Sequence, residues 1–142
     1  MKRIAKGSTQ QMKRIAVAMA TTVALWLAGC AGPSPEERAM ELVQHSYDCL
    51  LEGNYDGFLD GRADMDSIPE SYREQLLTAY KQYIHQQRLD HEDIVSFQAT
   101  RALTDTAQHQ MQVFLLVNYA DSTTEEIVVP MVETGSGEWK MK

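Results

Sequence analysis

The hydrophobic period of this chain changes once, and that change limits the folds open to it. Between Ser34 and Arg88 the apolar residues recur at helical spacing, whereas from Asp93 to Met141 they recur in short alternating runs. Helices first and strands afterwards, with brief turns between the strands, predict an α+β domain. Its N-terminal helices pack on a curved antiparallel sheet of about four strands. Ser34-Pro35-Glu36-Glu37 has the form of a helix start, with Ser34 as N-cap, Pro35 at the first helical position and Glu37 completing a capping box. The predicted helix runs to Glu52 and stops at Gly53. Ala39, Leu42, Val43, Ser46, Tyr47, Leu50 and Leu51 share its apolar side, Cys49 lies on the flank, and Glu41, Gln44, His45, Asp48 and Glu52 share a solvated side.

Asn54-Tyr55-Asp56-Gly57 reads as a turn, followed by one short helical turn at Phe58 and Leu59 and a polar stretch over residues 60–66. Ser67-Ile68-Pro69-Glu70 repeats the capping signal for a second long helix, with a stripe of Tyr72, Leu76, Tyr80, Tyr83 and Ile84. The strand runs span residues 94–103, 110–120, 125–132 and 138–141. In the middle two, both alternating sets carry apolar residues: Met111, Val113, Leu115 and Val117 against Phe114 and Leu116, and Ile127, Val129 and Met131 against Val128 and Val132. A sheet with one solvated face alternates more cleanly. Either the curvature of the strands or a second copy of the chain, as a homodimer through the sheet, is therefore expected to cover the second face.

Upstream of this domain, Lys13 and Arg14 precede an apolar stretch from Ile15 to Trp26, and the small residues Ala28 and Gly29 precede Cys30. The stretch falls short of the about 20 apolar residues that span a bilayer. Leu27-Ala28-Gly29-Cys30 resembles the lipobox of bacterial lipoprotein precursors. The resemblance implies cleavage between Gly29 and Cys30, acylation of the Cys30 thiol, and a mature protein held at the membrane by its lipid. Two or more acyl chains anchor stably where one binds only marginally. The same resemblance, with Ala31 in place of an aspartate after the cysteine, implies the outer membrane of a bacterial envelope. Residues 1–29 are then a signal peptide, 30–35 a tether and 36–142 the domain. Met1-Lys2-Arg3-Ile4-Ala5 recurs as Met12-Lys13-Arg14-Ile15-Ala16, so the start lies at Met1 or at Met12 with the same mature product.

All five basic residues of the leader lie before Cys30, which leaves eight basic against twenty acidic residues in the mature part, a formal charge of −12. Phosphate backbones repel such a surface, and nucleic-acid binding is not expected. The 113 residues from Cys30 onward suffice for one core. Cys49, with Cys30 lipidated, lacks an intramolecular partner and is expected to be a buried thiol.

The helix ending in Leu50-Leu51-Glu52-Gly53-Asn54-Tyr55-Asp56, the second long helix and the closing Gly137-Glu138-Trp139-Lys140-Met141 are similar to the cone-shaped fold of nuclear transport factor two, ketosteroid isomerase and scytalone dehydratase. Small lipoproteins of unassigned function are the nearest relatives this pattern suggests. The resemblance implies a space between helices and sheet, which Tyr47, Tyr72, Tyr80, Tyr83, Phe97, Leu115 and Trp139 would line. An aromatic stripe at helical spacing is, in the first place, a core stripe. The enzymes of this fold place an acid or histidine base beside tyrosine or acid donors in an apolar cone. No motif here matches that set, so no catalytic residue is assigned, and a non-catalytic domain for a partner protein or small apolar ligand is expected. An isomerase or dehydratase is the alternative.

No cofactor or metal is expected. Asp90-His91-Glu92-Asp93 matches no zinc spacing. Counting from Asp64, the sixth position of a calcium loop is Pro69, where glycine is needed.

Cys30→Ala is predicted to release the full chain from membranes into the soluble fraction on cell fractionation. Retention at the membrane would contradict lipid attachment.

Overall fold

Ser34 begins helix α1 (Pro35–Glu52) by reciprocal capping: its Oγ accepts from the Glu37 amide at 3.1 Å, and its own amide donates to Glu37 Oε2 at 3.2 Å. The helix closes in a Schellman turn. Gly53 takes φ 83°, its N–H donates to the Leu50 carbonyl, and the Asn54 N–H donates to the Cys49 carbonyl. The computed structural model describes residues 32–142. The leader, the lipobox with Gly29 and Cys30, and Ala31 lie outside the described residues. Ser34–Lys142 forms one unit that contains every buried core residue among those described.

Asn54 caps the short helix α2 (Tyr55–Asp60) through its side-chain oxygen on the Gly57 amide. A 3₁₀ turn (Met65–Ser67) leads to α3 (Glu70–His91). The expected Ser67 cap is not formed. Its hydroxyl donates to the Asp64 carbonyl, Ile68 is extended as a residue before proline prefers, and Pro69 stands at the N-cap with no side-chain bond. Strands β1 (Ile94–Asp105), β2 (Gln110–Tyr119), β3 (Thr124–Glu133) and β4 (Trp139–Met141) form an antiparallel meander in that order. Register shifts between Ile94 and Ser96 and between Ala99 and Arg101 bend β1. The result is the α+β arrangement of helices on a curved four-stranded sheet that the change of period predicts.

The inner face of β2 (Met111, Val113, Leu115, Val117 and Tyr119) is buried and shares one core with Ala39, Val43 and Leu50 of α1. On the other face Phe114, Leu116 and Asn118 are half-buried and Val128 is exposed. The Arg101 guanidinium lies 3.7 Å from the Phe114 ring centroid, so a long side chain covers part of the apolar area that the two-sided pattern presents.

Two contacts set the helices on the sheet. Gln44 of α1, grouped by its spacing with the solvated residues, reaches the outer edge of β1. Its Oε1 accepts from the Ala99 N–H at 2.8 Å, and its Nε2 donates to the Phe97 carbonyl at 2.8 Å and to Asp48 Oδ1 at 3.0 Å. A primary amide matches the donor and acceptor that an edge strand leaves open. The second contact is at Gly61, after α2, where the chain crosses α1 so closely that a Cβ there would collide with Ser46 Oγ. Past this crossing the chain pairs with β4: Met141 N–H donates to the Gly61 carbonyl at 2.9 Å, and Ala63 N–H donates to the Met141 carbonyl at 2.7 Å.

Gln44→Leu keeps the stem and removes both bonds to β1. It is predicted to destabilise residues 31–142 by about 1–3 kcal/mol in urea unfolding, while Glu41→Gln changes little. Equal midpoints for the two variants would contradict the role given to Gln44.

Candidate functional site

Helix α3 is 22 residues long, yet Ile84 is its one buried residue. It is tied at its two ends and at its middle. Arg73 pairs with Asp56 of α2 at 2.8 Å, and the Lys81 ammonium lies 5.5 Å from the Tyr55 ring centroid. Toward the C-terminus the His91 ring stacks on Tyr119 at 4.0 Å. The Tyr119 hydroxyl donates to Glu125 Oε2 at 2.7 Å and lies 2.9 Å from the Gln87 side-chain amide. Beside these ties the helix packs Ile84 into the core and, with α1, α2 and β3, lines an open cavity of about 350 Å³.

Four elements supply the walls: Tyr47 and Leu50 from α1, Phe58 from α2, Ala79, Tyr80 and Tyr83 from α3, and Ile127 from β3. Ala79 is the exposed member of the set and marks the mouth. Three other hollows have mixed or polar linings from at most two elements, such as the one between α1 and β1 at Met40, Glu41, Gln44, His45, Asp48 and Ala99. The wall aromatics brace one another edge to face. Tyr47 meets Phe58 at 5.1 Å and 89°, Phe58 meets Tyr80 at 4.6 Å and 70°, and Phe97 supports Tyr47 at 5.1 Å and 63°.

Of the residues singled out by spacing and resemblance, Tyr47, Tyr80 and Tyr83 meet in this cavity and four stand outside its lining. Tyr72 is two turns ahead of Tyr80, rotated off its stripe, and 47% exposed. Phe97 and Leu115 are buried in the core between α1 and the sheet, so Phe97 acts as a brace behind Tyr47. Trp139 is half-buried on β4 and packs against the core. Leu50, Phe58, Ala79 and Ile127 complete the lining without having been singled out as pocket residues.

Arg62 is the side chain that motif reading passed over. It follows the Gly61 crossing, is half-buried, and donates from Nη1 to Tyr80 Oη at 2.6 Å. Its Nε is buried with no hydrogen-bond partner, and no carboxylate among the described residues lies within ion-pair distance of it. A lone basic residue between Asp60 and Asp64 was the available signal.

Burial first, and the neighbouring Tyr83 and Tyr80 phenols next, push the Tyr47 phenol up to about 12, with the Arg62 charge acting the other way. Tyr83 is raised by burial and then by the nearby Glu125 carboxylate, and Tyr119 is raised by burial and by its bond to Glu125. Tyr47 and Tyr83 are thus neutral phenols throughout the physiological range.

Cys49 is a free buried thiol, 3.7 Å from His45 Nε2. His91 Nδ1 lies 3.1 Å from Asp121 Oδ2, and Arg88 pairs with Asp93 at 2.9 Å, so the 90–93 cluster is spent on local ties. Among the described residues no three His, Cys, Asp or Glu side chains converge as metal ligands.

No protein-family model matches the sequence, and no curated protein matches it. The fold is similar to a crystal structure from Campylobacter jejuni that carries the provisional description NTF2-like transpeptidase. The TM-score is 0.53 with 9% sequence identity over 71% of this chain and 94% of that one. Identity this low speaks to the fold alone, and the fold is NTF2-like.

Proposed function

We propose that this chain is a lipid-anchored envelope protein whose NTF2-like cone holds a small apolar ligand without converting it. The cavity carries the reading. Pockets for small molecules are about 300–1,000 Å³ and mostly apolar, with few polar groups. The space of about 350 Å³ under α3 has aliphatic and aromatic walls from four elements. An isomerase or dehydratase would need a carboxylate or histidine base within reach of the ligand. The lining holds three tyrosines and neither of those, which favours holding over conversion.

Anchoring rests on the Leu27-Ala28-Gly29-Cys30 sequence, and the outer-membrane address on Ala31. Among the described residues no helix is long and apolar enough to cross a membrane. A tether of a few residues then keeps the cone within reach of molecules that partition into the bilayer.

The test is saturable fluorescence enhancement of a neutral phenylnaphthylamine probe by residues 31–142. Ala79→Trp places a large side chain at the mouth and is predicted to weaken binding by about tenfold or more. A linear, non-saturating response, or a variant that binds as wild type, would contradict the cavity as the ligand site.

A further inference from the structure

The cavity is apolar along its walls but not at the place where Arg62 meets Tyr80, and what this place lacks is an acceptor. The mature part is strongly acidic, yet no carboxylate among the described residues pairs with Arg62. Its Nε is the one buried side-chain nitrogen or oxygen among them that has no hydrogen-bond partner. A half-buried guanidinium with no carboxylate beside it leaves its charge uncompensated by the protein.

Tyr80 carries that charge to the cavity. Its Oη accepts from Arg62 Nη1 at 2.6 Å, so its own proton is left to donate, and no described residue accepts it. The hydroxyls of Tyr47 and Tyr83 likewise have no hydrogen-bond partner among the described residues. A phenol that accepts from a cation is a stronger donor than a free one, because the two bonds polarise each other. The lining therefore offers O–H donors backed by one positive charge. Glu125 stands on the Tyr83 side, where it accepts from Tyr119 and raises the Tyr83 phenol. Negative charge is thus disfavoured at that end and favoured at the other.

We infer that the ligand is an amphiphile with a carboxylate head, its oxygens received by the Tyr80 hydroxyl in the field of Arg62 and its apolar body lying along Leu50, Phe58 and Ile127. The inference rests on the cavity being the ligand site. A carboxylate suits the site better than an alcohol or amine, since the open valences there are donors and the nearest formal charge is positive. Arg62 acts through Tyr80 and is a positioning residue. Its effect is on the choice of head group and not on retention of the apolar body.

Decanoate and 1-decanol, equal in chain length, separate these contributions when each displaces the neutral phenylnaphthylamine from residues 31–142 at neutral pH and physiological salt. Wild type is expected to prefer decanoate by about tenfold or more. In Arg62→Met, which keeps an unbranched stem and loses the charge, the preference is expected to fall to about one while decanol and the probe bind as before. Tyr80→Phe keeps the ring, is expected to reduce the preference in the same direction, and carries the test if Arg62→Met fails to fold by circular dichroism. Equal affinities in wild type, or a preference that survives both substitutions, would overturn the carboxylate assignment and leave the apolar cavity standing. Failure of the probe itself to bind wild type would remove the cavity reading and this one with it.

Discussion

The pairing of Gln44 with the free edge of β1 is the contact on which the rest of the geometry depends. An edge strand presents open N–H and C=O groups, and a helix lying beside it must avoid burying them unpaired. By meeting Ala99 and Phe97, Gln44 fixes the rotation of α1 on the sheet. Val43 and Leu50 then enter the core, and Tyr47 stands at its margin, where it joins the cavity. Ser46 comes to lie where only a residue without a side chain can cross, and Gly61 crosses there. The next residue is Arg62, so the placement of the unpaired cation follows from the seating of the first helix.

The cavity itself follows from side-chain size. Ridge-and-groove packing of α3 directly on the sheet would require small or aliphatic residues along its inner stripe. Tyr80 and Tyr83, partly buried against the core on either side of that stripe, instead leave an open space that they line. The edge-to-face series from Phe97 through Tyr47 and Phe58 to Tyr80 makes its wall rigid. A preformed space needs little ordering when a ligand enters, which suits a holding function.

The elements were legible wherever their causes are local. Ser34 with Glu37 and Gly53 mark both ends of α1 within a few residues, and the alternation of Met111, Val113, Leu115 and Val117 names the inner face of β2 without reference to other segments. The convergence of Tyr47, Tyr80 and Tyr83 was partly legible, since each sits on a helical stripe, but Tyr72, grouped with them by spacing, is rotated off the stripe and exposed. Gln44 and Arg62 were illegible for a shared reason. On a helical wheel Gln44 is one more polar residue, and its partners lie 53 and 55 residues away. Arg62 stands in a polar loop, and its burial is created by pairing with the C-terminal strand. Ser67 misled in the opposite way, offering a cap signal that the turn before Pro69 had already used.

Ligand-to-protein nuclear Overhauser contacts in residues 31–142 test whether the space lined by α3 is where a ligand sits. With the neutral naphthylamine bound, contacts are expected to the rings of Tyr47, Phe58 and Tyr80 and to the methyl groups of Ile127. Contacts confined to the outer sheet face, at Val128 and Phe114, would contradict it.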